Sequence, residues 1–162
     1  MQAVSFSYGR RNTSDQSLDS AVNRQMSVPD FDRAASVKRN CPSAAERLVF
    51  DASLSLHPLA NIQCGIVFIH AFWAGQSILT LRKLGESLAR VDTEHRVDLI
   101  VCDIDEIQQL RDWQTRYYGG DITGGGGDAL WIANGNIRAR HNASRQCDFD
   151  ATIRSLMLEC HA

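Results

Sequence analysis

The sequence GIVFIHAFWAGQS at residues 65–77 decides the fold, because it changes from a strand pattern to a helix start within one short stretch. The apolar run from Ile66 to Ile69, followed by His70, is typical of a strand that is buried on both faces. Small and polar residues then interrupt the run, and Ser77 is a suitable N-cap for a following helix. We therefore predict a central strand, a tight turn and a helix in direct succession.

The residues after the turn predict an amphipathic helix that extends to about residue 91. Charged side chains occupy one side of this helix, and apolar side chains recur on the other at three- and four-residue steps. The apolar positions are Ile78, Leu81, Leu84, Leu88 and Val91. This stripe predicts a helix that packs against a sheet.

Three later segments complete the pattern. Residues 96–102 contain an apolar run that is typical of a parallel strand buried between helices, reached by a right-handed crossover. Residues 129–133 and 136–140 flank Asn134-Gly135, which is a strong signal for a hairpin. The C-terminal segment repeats apolar residues at helical spacing, and Asp148 or Asp150 would cap that helix.

Other segments are less clear. Ser43-Ala-Ala-Glu46 matches a capping box, and residues 47–54 fit either a continuing helix or a first strand. His57-Pro58 ends this element, because the residue before a proline avoids the helical region. Residues 107–117 repeat apolar side chains at helical spacing, which makes Trp113 a predicted core residue. Trp131, on the first strand of the hairpin, is another.

Residues 1–42 differ from the rest, with many polar and few branched apolar side chains. Such a segment cannot bury enough surface to offset the entropy of ordering it. We therefore predict a flexible polar N-terminal tail at residues 1–42, followed by one folded domain at residues 43–162.

The composition limits the kind of protein. The 162 residues are 44% hydrophobic and 22% charged, with a net charge of −2, which is typical of one soluble globular domain. This charge does not favour a nucleic-acid or membrane partner. The five cysteines are an odd number without tight spacing, whereas secreted disulfide frameworks usually have even sets. We therefore expect free thiols and a cytoplasmic location.

The segment Trp73-Ala74-Gly75-Gln76-Ser77 carries a resemblance to a known family. It resembles the active-site turn of thioredoxins, where a core strand, Trp-Cys-Gly-Pro-Cys and a helix follow one another. Ala74 then falls at the nucleophilic position and Ser77 at the resolving position. A second alignment matches residues 72–74 to the family's Phe-Trp-Ala and deletes the first cysteine. Under either alignment the dithiol is missing, so that the five residues form a degenerate redox motif.

The resemblance extends from about residue 43 to residue 160, because residues 101–106 also resemble the family's second core strand. It implies a thioredoxin-like α/β fold, with a central mixed sheet of four to five strands flanked by helices on both faces. The family's buried acid would fall on Phe68 or Ala71. Its cis-proline would fall on Gly127 or Asp128, where this chain has no proline.

The missing residues affect the chemistry that this fold normally performs. Dithiol exchange needs one thiolate to attack and a second thiol to resolve the mixed disulfide. Ala74 offers no nucleophile, and a hydroxyl such as that of Ser77 is barely ionised near neutral pH. We therefore predict a binding module without catalytic residues or cofactor, which contacts a protein or peptide. Its candidate binding face is Trp73, Ser77, Gly127 and Asp128, with Trp73 as the anchor.

Alternative functions follow from single residues. A thiol oxidoreductase or peroxidase would work through a single cysteine such as Cys64. A nucleophilic pair of Ser77 and His70 is disfavoured, because His70 precedes the turn and no orienting acid is evident. A binder of small thiols would use Ser77 as a hydrogen-bond donor, but relatives of that kind hold their ligand with the cis-proline that is absent here.

Two binding motifs are also rejected. A zinc site would draw on four residues near the C-terminus, but their spacing matches no ligand pattern. These residues are His141, Cys147, Cys160 and His161. The glycines at residues 124–127 precede Asp128 and a strand, whereas a phosphate loop requires Gly-Lys-Ser/Thr at a helix start. We therefore predict no metal site and interpret the glycine run as a flexible loop.

Overall fold

The computed structural model describes residues 32–107, 125–142 and 147–161. These residues form a five-stranded sheet and four helices. The strands are β1 (Leu48–Phe50), β2 (Cys64–His70), β3 (Asp98–Asp103), β4 (Asp128–Ala133) and β5 (Asn136–Asn142). The helices are α1 (Arg33–Asn40), α2 (Gly75–Val91), α3 (Ile104–Ile107) and α4 (Phe149–Cys160).

The sheet is mixed, with the strand order β1-β3-β2-β4-β5. Strands β1 and β2 both pair with β3 in parallel, whereas β4 pairs antiparallel with β2 and with β5. The crossover from β2 to β3 runs through α2, as such parallel pairs require. This topology confirms the predicted thioredoxin-like α/β fold.

Strand β2 lies at the centre of the molecule, and all seven of its residues are buried. Its side chains alternate between two core clusters, because successive residues of a strand point to opposite faces. Ile66 and Phe68 belong to the cluster that α2 and α4 cover. Val67 and Ile69 belong to a second cluster, with Ile104 of α3. The predicted burial of this strand on both faces is confirmed.

The predicted hairpin is also confirmed. Asn134 and Gly135 have φ values of 52° and 72°, as the two-residue turn between β4 and β5 requires. Trp131 on β4 is 1% exposed and is therefore a core residue. Asp148 is the cap of α4, because its side chain accepts a hydrogen bond of 3.0 Å from the Ala151 N–H.

The structure decides between the helix and the strand that the sequence allowed for residues 47–54. Residues 47–54 contain strand β1, and Leu48 is 2% exposed. Pro42–Ala44 forms a 3₁₀ turn without a side-chain cap, so the predicted capping box is wrong. The Arg47 side chain is instead fixed by Asp92, with 2.7 Å between Nη1 and Oδ2, which secures the start of β1.

The predicted tail boundary at residue 42 differs from the structure. Asp32 caps α1 by accepting a 2.9 Å hydrogen bond from the Ala35 N–H, and Val37 is fully buried. Cys41 packs closely against Gly85 of α2, where a Cβ would collide with its sulfur. This segment is therefore part of the folded domain. Residues 1–31 lie outside the described residues.

The helix predicted at residues 107–117 lies almost wholly outside the described residues. Ile107 is described as the last residue of α3, whereas Trp113 falls beyond the described range. Within the described ranges, none of the helices combines the length and the apolar character that a membrane span needs.

Candidate functional site

The turn between β2 and α2 is the predicted site, and the structure shows how it is formed. Helix α2 begins at Gly75, with Ala74 in the N-cap position in an extended conformation. The Ala74 N–H donates to the Ala71 carbonyl at 3.1 Å, which closes the turn. Trp73 stands at its outer end with 65% of its surface exposed. Ala74, at the nucleophilic position of the resemblance, is partly exposed.

The five residues of the degenerate redox motif divide between the turn and the helix. Trp73 and Ala74 precede α2, whereas Gly75, Gln76 and Ser77 are its first three residues. The Gln76 side chain is exposed, and its backbone carbonyl accepts a 2.9 Å hydrogen bond from Thr80 Oγ1 within α2. Gln76 was not included in the predicted binding face, yet it lies at the surface of the turn. Its part in binding and the loss of redox chemistry at this motif stay predictions.

The sequence predicted Ser77 as the N-cap of the helix, and this prediction is wrong. Ser77 lies within the first turn of α2 and is fully buried. Its Oγ accepts a hydrogen bond from the Ala71 N–H at 3.1 Å. The same Oγ lies 2.8 Å from Nδ1 of His70. The two side chains are therefore in hydrogen-bond contact, because the turn folds the helix start back over the end of β2.

His70 is held in its neutral form. Burial lowers its pKa to about 4, so that the imidazole carries no charge at neutral pH. Phe72 covers it edge-on, with 4.6 Å between the ring centroids. No residue within the described ranges hydrogen-bonds to Nε2, so no acid orients this imidazole there. Because Ser77 is inaccessible to solvent, the pair fixes the turn and does not present a nucleophile.

The described glycines of the run, residues 125–127, lie directly beside this turn. The Gly126 carbonyl accepts a 3.1 Å hydrogen bond from Oγ1 of Thr80 on α2. Gly127 has a φ of 79°, and a Cβ there would lie 2.5 Å from Cζ of Phe68 and 3.2 Å from Oγ of Ser77. Only glycine fits this conformation and this space. The resemblance places the family's cis-proline here, and in this chain the backbone of Gly127 lies close to Phe68 and Ser77 instead. The described residues contain no cis peptide bond.

The structure brings the four residues of the predicted binding face together, but it places only one of them at the surface. Ser77, Gly127 and Asp128 are buried, with Asp128 only 1% exposed. Gly125, two residues before Gly127, lies against the indole of Trp73, since a Cβ there would be 3.1 Å from the ring. Trp73 is thus the one exposed member of the set, and its binding role stays a prediction.

Arg33, which the sequence did not indicate as a site residue, contacts Phe72 next to the turn. Arg33 of α1 forms an ion pair with the buried carboxylate of Asp103, and it lies 3.4 Å from Glu106. Its guanidinium also lies 5.5 Å from the ring centroid of Phe72. Burial raises the pKa of Asp103, although Arg33 favours the charged carboxylate. Arg33 falls in the segment predicted to be a tail, so no sequence signal connected it to the site.

The prediction of free thiols is wrong for two of the five cysteines. Cys64 and Cys160 form a disulfide with 5.6 Å between their Cα atoms. The two lie 96 residues apart, so their sequence spacing gave no sign of the pair. Cys64 therefore lacks the thiol that the single-cysteine alternative requires. The cytoplasmic location stays a prediction. Its argument from five free thiols no longer holds, because two of the five cysteines are bonded.

The three free cysteines are poor nucleophiles. Burial raises the pKa of Cys41 to about 11 and also raises the pKa values of Cys102 and Cys147. The thiol form of each therefore predominates at neutral pH. Cys160 is unavailable as a zinc ligand because it is bonded to Cys64. Within the described residues, no three His, Cys, Asp or Glu side chains are grouped as metal ligands would be.

The chain is similar in structure to a known protein. A mutant thioredoxin from Halobacterium salinarum NRC-1 matches it with 16% sequence identity and a TM-score of 0.49. The match covers 74% of this chain and 94% of that chain. No protein-family model matches the chain, and no curated protein matches it either. At this identity and TM-score, the likeness gives no information about chemistry or partners.

Proposed function

We propose that this chain is a thioredoxin-fold binding module that has lost dithiol–disulfide exchange and contacts a protein or peptide through Trp73. One observation carries the proposal. Trp73 is 65% exposed on a turn whose two redox positions hold Ala74 and Ser77. The chain thus keeps a presenting turn and an exposed aromatic residue without the sulfur atoms that would react there.

The loss of exchange chemistry follows from both positions. Ala74 occupies the N-cap of α2, where the backbone N–H groups and the helix dipole would stabilise a thiolate. A methyl group takes no part in such chemistry. Ser77 is buried, and its hydroxyl already contacts Ala71 and His70. A group with these contacts is not free to attack an incoming disulfide.

The binding role follows from the exposure of Trp73 and from the rigidity of its support. Large aromatic side chains dominate the energy of many interfaces, and an anchor that is already ordered loses less entropy on binding. The turn behind Trp73 is fixed by the Ser77 hydroxyl, and Phe72 beside it is covered by Arg33. Gly125 flanks the indole on its other side. Trp73 is therefore presented in a defined position.

A binding comparison tests this proposal. An array of unrelated peptides, and a panel of proteins recovered by crosslinking, would be probed with wild type and with Trp73→Ala. Leu56→Ala is the matched control, since Leu56 is 77% exposed and lies outside the turn. We expect Trp73→Ala to lose the interactions that Leu56→Ala retains. Equal recovery by the two variants would show that the contact surface lies elsewhere.

A further inference from the structure

A disulfide joins the first residue of β2 to the last residue of α4. The Cα atoms of Cys64 and Cys160 are 5.6 Å apart, which is within the usual range for bonded cysteines. Cys64 is also paired in register with Ala133 of β4. It lies at the opposite end of β2 from His70, which corresponds to about 20 Å along the strand. The bond is therefore separate from the Trp73 turn.

Few other contacts hold the last turn of α4. Its two buried side chains, Ile153 and Leu156, both precede that turn, and Met157 is only partly buried. Glu159 is 3.5 Å from Arg138, and both side chains are 44% exposed. Exposed ion pairs of this kind contribute little to stability. Among the described residues, the disulfide is therefore the one covalent tie between the last turn and the sheet.

The other cysteines do not compete for this pairing. Cys41 and Cys102 are 1% and 0% exposed, and each lies elsewhere in the core. Cys147 precedes the opposite end of α4, about 20 Å away along the helix axis. Within the folded chain, Cys160 thus has Cys64 as its partner. Cys160 is also the more exposed of the two, since Cys64 is buried.

We propose that Cys64 and Cys160 form a redox-sensitive site, at which a small disulfide oxidises both thiols and thereby docks the last turn of α4. The Cys160 thiolate attacks the small disulfide, which forms a mixed disulfide and releases one small thiol. The Cys64 thiolate then attacks the Cys160 sulfur and releases the second small thiol. Two protein thiols and one small disulfide become one protein disulfide and two small thiols. An excess of a reducing dithiol reverses the reaction.

Thiol counting and hydrogen exchange on the purified full-length protein test this site. After oxidised glutathione, the denatured protein should show three thiols, since two of its five cysteines are bonded, and after a reducing dithiol it should show five. The amides of the last turn of α4 should exchange about tenfold more slowly in the oxidised form, because local opening is restricted there. Amides near Ile153 should differ little between the two forms.

Two variants separate this site from a general effect of redox conditions. Cys160→Ser, or Cys64→Ala if the first folds poorly, should remove the difference between the two forms. Cys147→Ser, at the other end of the same helix, should retain it. The proposal is overturned by five thiols after oxidation or by equal exchange of the last turn in both forms. A difference that persists in Cys160→Ser, or that disappears in Cys147→Ser, would overturn it too.

Discussion

Ser77 Oγ lies 2.8 Å from Nδ1 of His70 and also accepts the Ala71 N–H, so that one buried hydroxyl closes the turn between β2 and α2. The serine stands where the resemblance places the resolving cysteine. In this chain the hydroxyl has a structural part at that position. This contact explains how the turn keeps its shape without a dithiol.

Ser77→Ala should therefore destabilise the fold. The substitution leaves the Ala71 N–H and a buried ring nitrogen of His70 without the hydroxyl, and an unsatisfied buried polar group costs about 1–3 kcal/mol. Urea denaturation would measure the change in the free energy of unfolding. Ser155→Ala is the control, because Ser155 is exposed on α4. A loss no larger than that of the control would contradict a structural role for the hydroxyl.

Acid should weaken the fold through His70. Its pKa is lowered from 6.5 to about 4 by burial, so the unfolded chain binds more protons between these values. The contribution of neutral His70 is complete above pH 6.5 and is lost as the pH falls towards 4, by about 3 kcal/mol in total. Stability curves from pH 7 to 4.5 would measure it.

His70→Gln is the matched comparison for this pH dependence, because glutamine keeps polar atoms at this position but does not titrate. We expect the variant to lose less stability than wild type over the same pH range. Parallel curves for the two proteins would show that His70 is not the responsible group. An NMR titration of the His70 ring gives the pKa directly.

Gly127→Ala should be strongly destabilising. The substituted residue would have to adopt a φ of 79°, with its Cβ 2.5 Å from Cζ of Phe68. Positive φ alone costs about 1–2 kcal/mol, and the collision with a buried ring adds to this. Thermal and urea denaturation would measure the sum.

Gly75→Ala provides a control of the same chemistry. A Cβ at Gly75 meets nothing within 4 Å, and Gly75 begins α2, so alanine there should be neutral or stabilising by up to about 1 kcal/mol. If both glycine variants behaved alike, the close approach of Gly127 to the turn would not be required.

Arg33→Ala should loosen the support of the turn. The variant leaves the buried carboxylate of Asp103 without its cation, and because Arg33 is 40% exposed we expect a loss of only about 1–2 kcal/mol. Arg39→Ala, at an exposed position of the same helix, should change the free energy of unfolding by less than about 0.5 kcal/mol. Equal stability of the two variants would show that the Arg33–Asp103 pair does not stabilise the domain.

The fold could be predicted because its central elements have strong local patterns. The apolar run of β2, the stripe of α2 and the Asn134-Gly135 turn each indicate one kind of element, and they agree with one another. Helix α1 was missed because its sequence has no such local pattern. Its contacts with the core are the burial of Val37, the close approach of Cys41 to Gly85 and the Arg33–Asp103 ion pair, and composition reveals none of them.

The candidate site was harder to predict, because its contacts join residues through folding and not through spacing. Ser77 meets His70 only because the turn reverses the chain. Cys64 meets Cys160 across 96 residues. Trp73 was the exception, since the resemblance of its segment to the thioredoxin turn implied exposure, and it is 65% exposed.

The most direct test of the central claim is an insulin disulfide reduction assay, with dithiothreitol as electron donor, on wild type and on the double variant Ala74→Cys/Ser77→Cys. We predict that wild type leaves the rate at that of dithiothreitol alone, because its turn holds a methyl group and a buried hydroxyl. Cys160→Ser should behave in the same way, which excludes a contribution of the Cys64–Cys160 pair. The double variant should accelerate the reaction, since a cysteine at the N-cap of α2 would have a lowered pKa. Wild-type acceleration equal to that of the variant would contradict the loss of exchange chemistry.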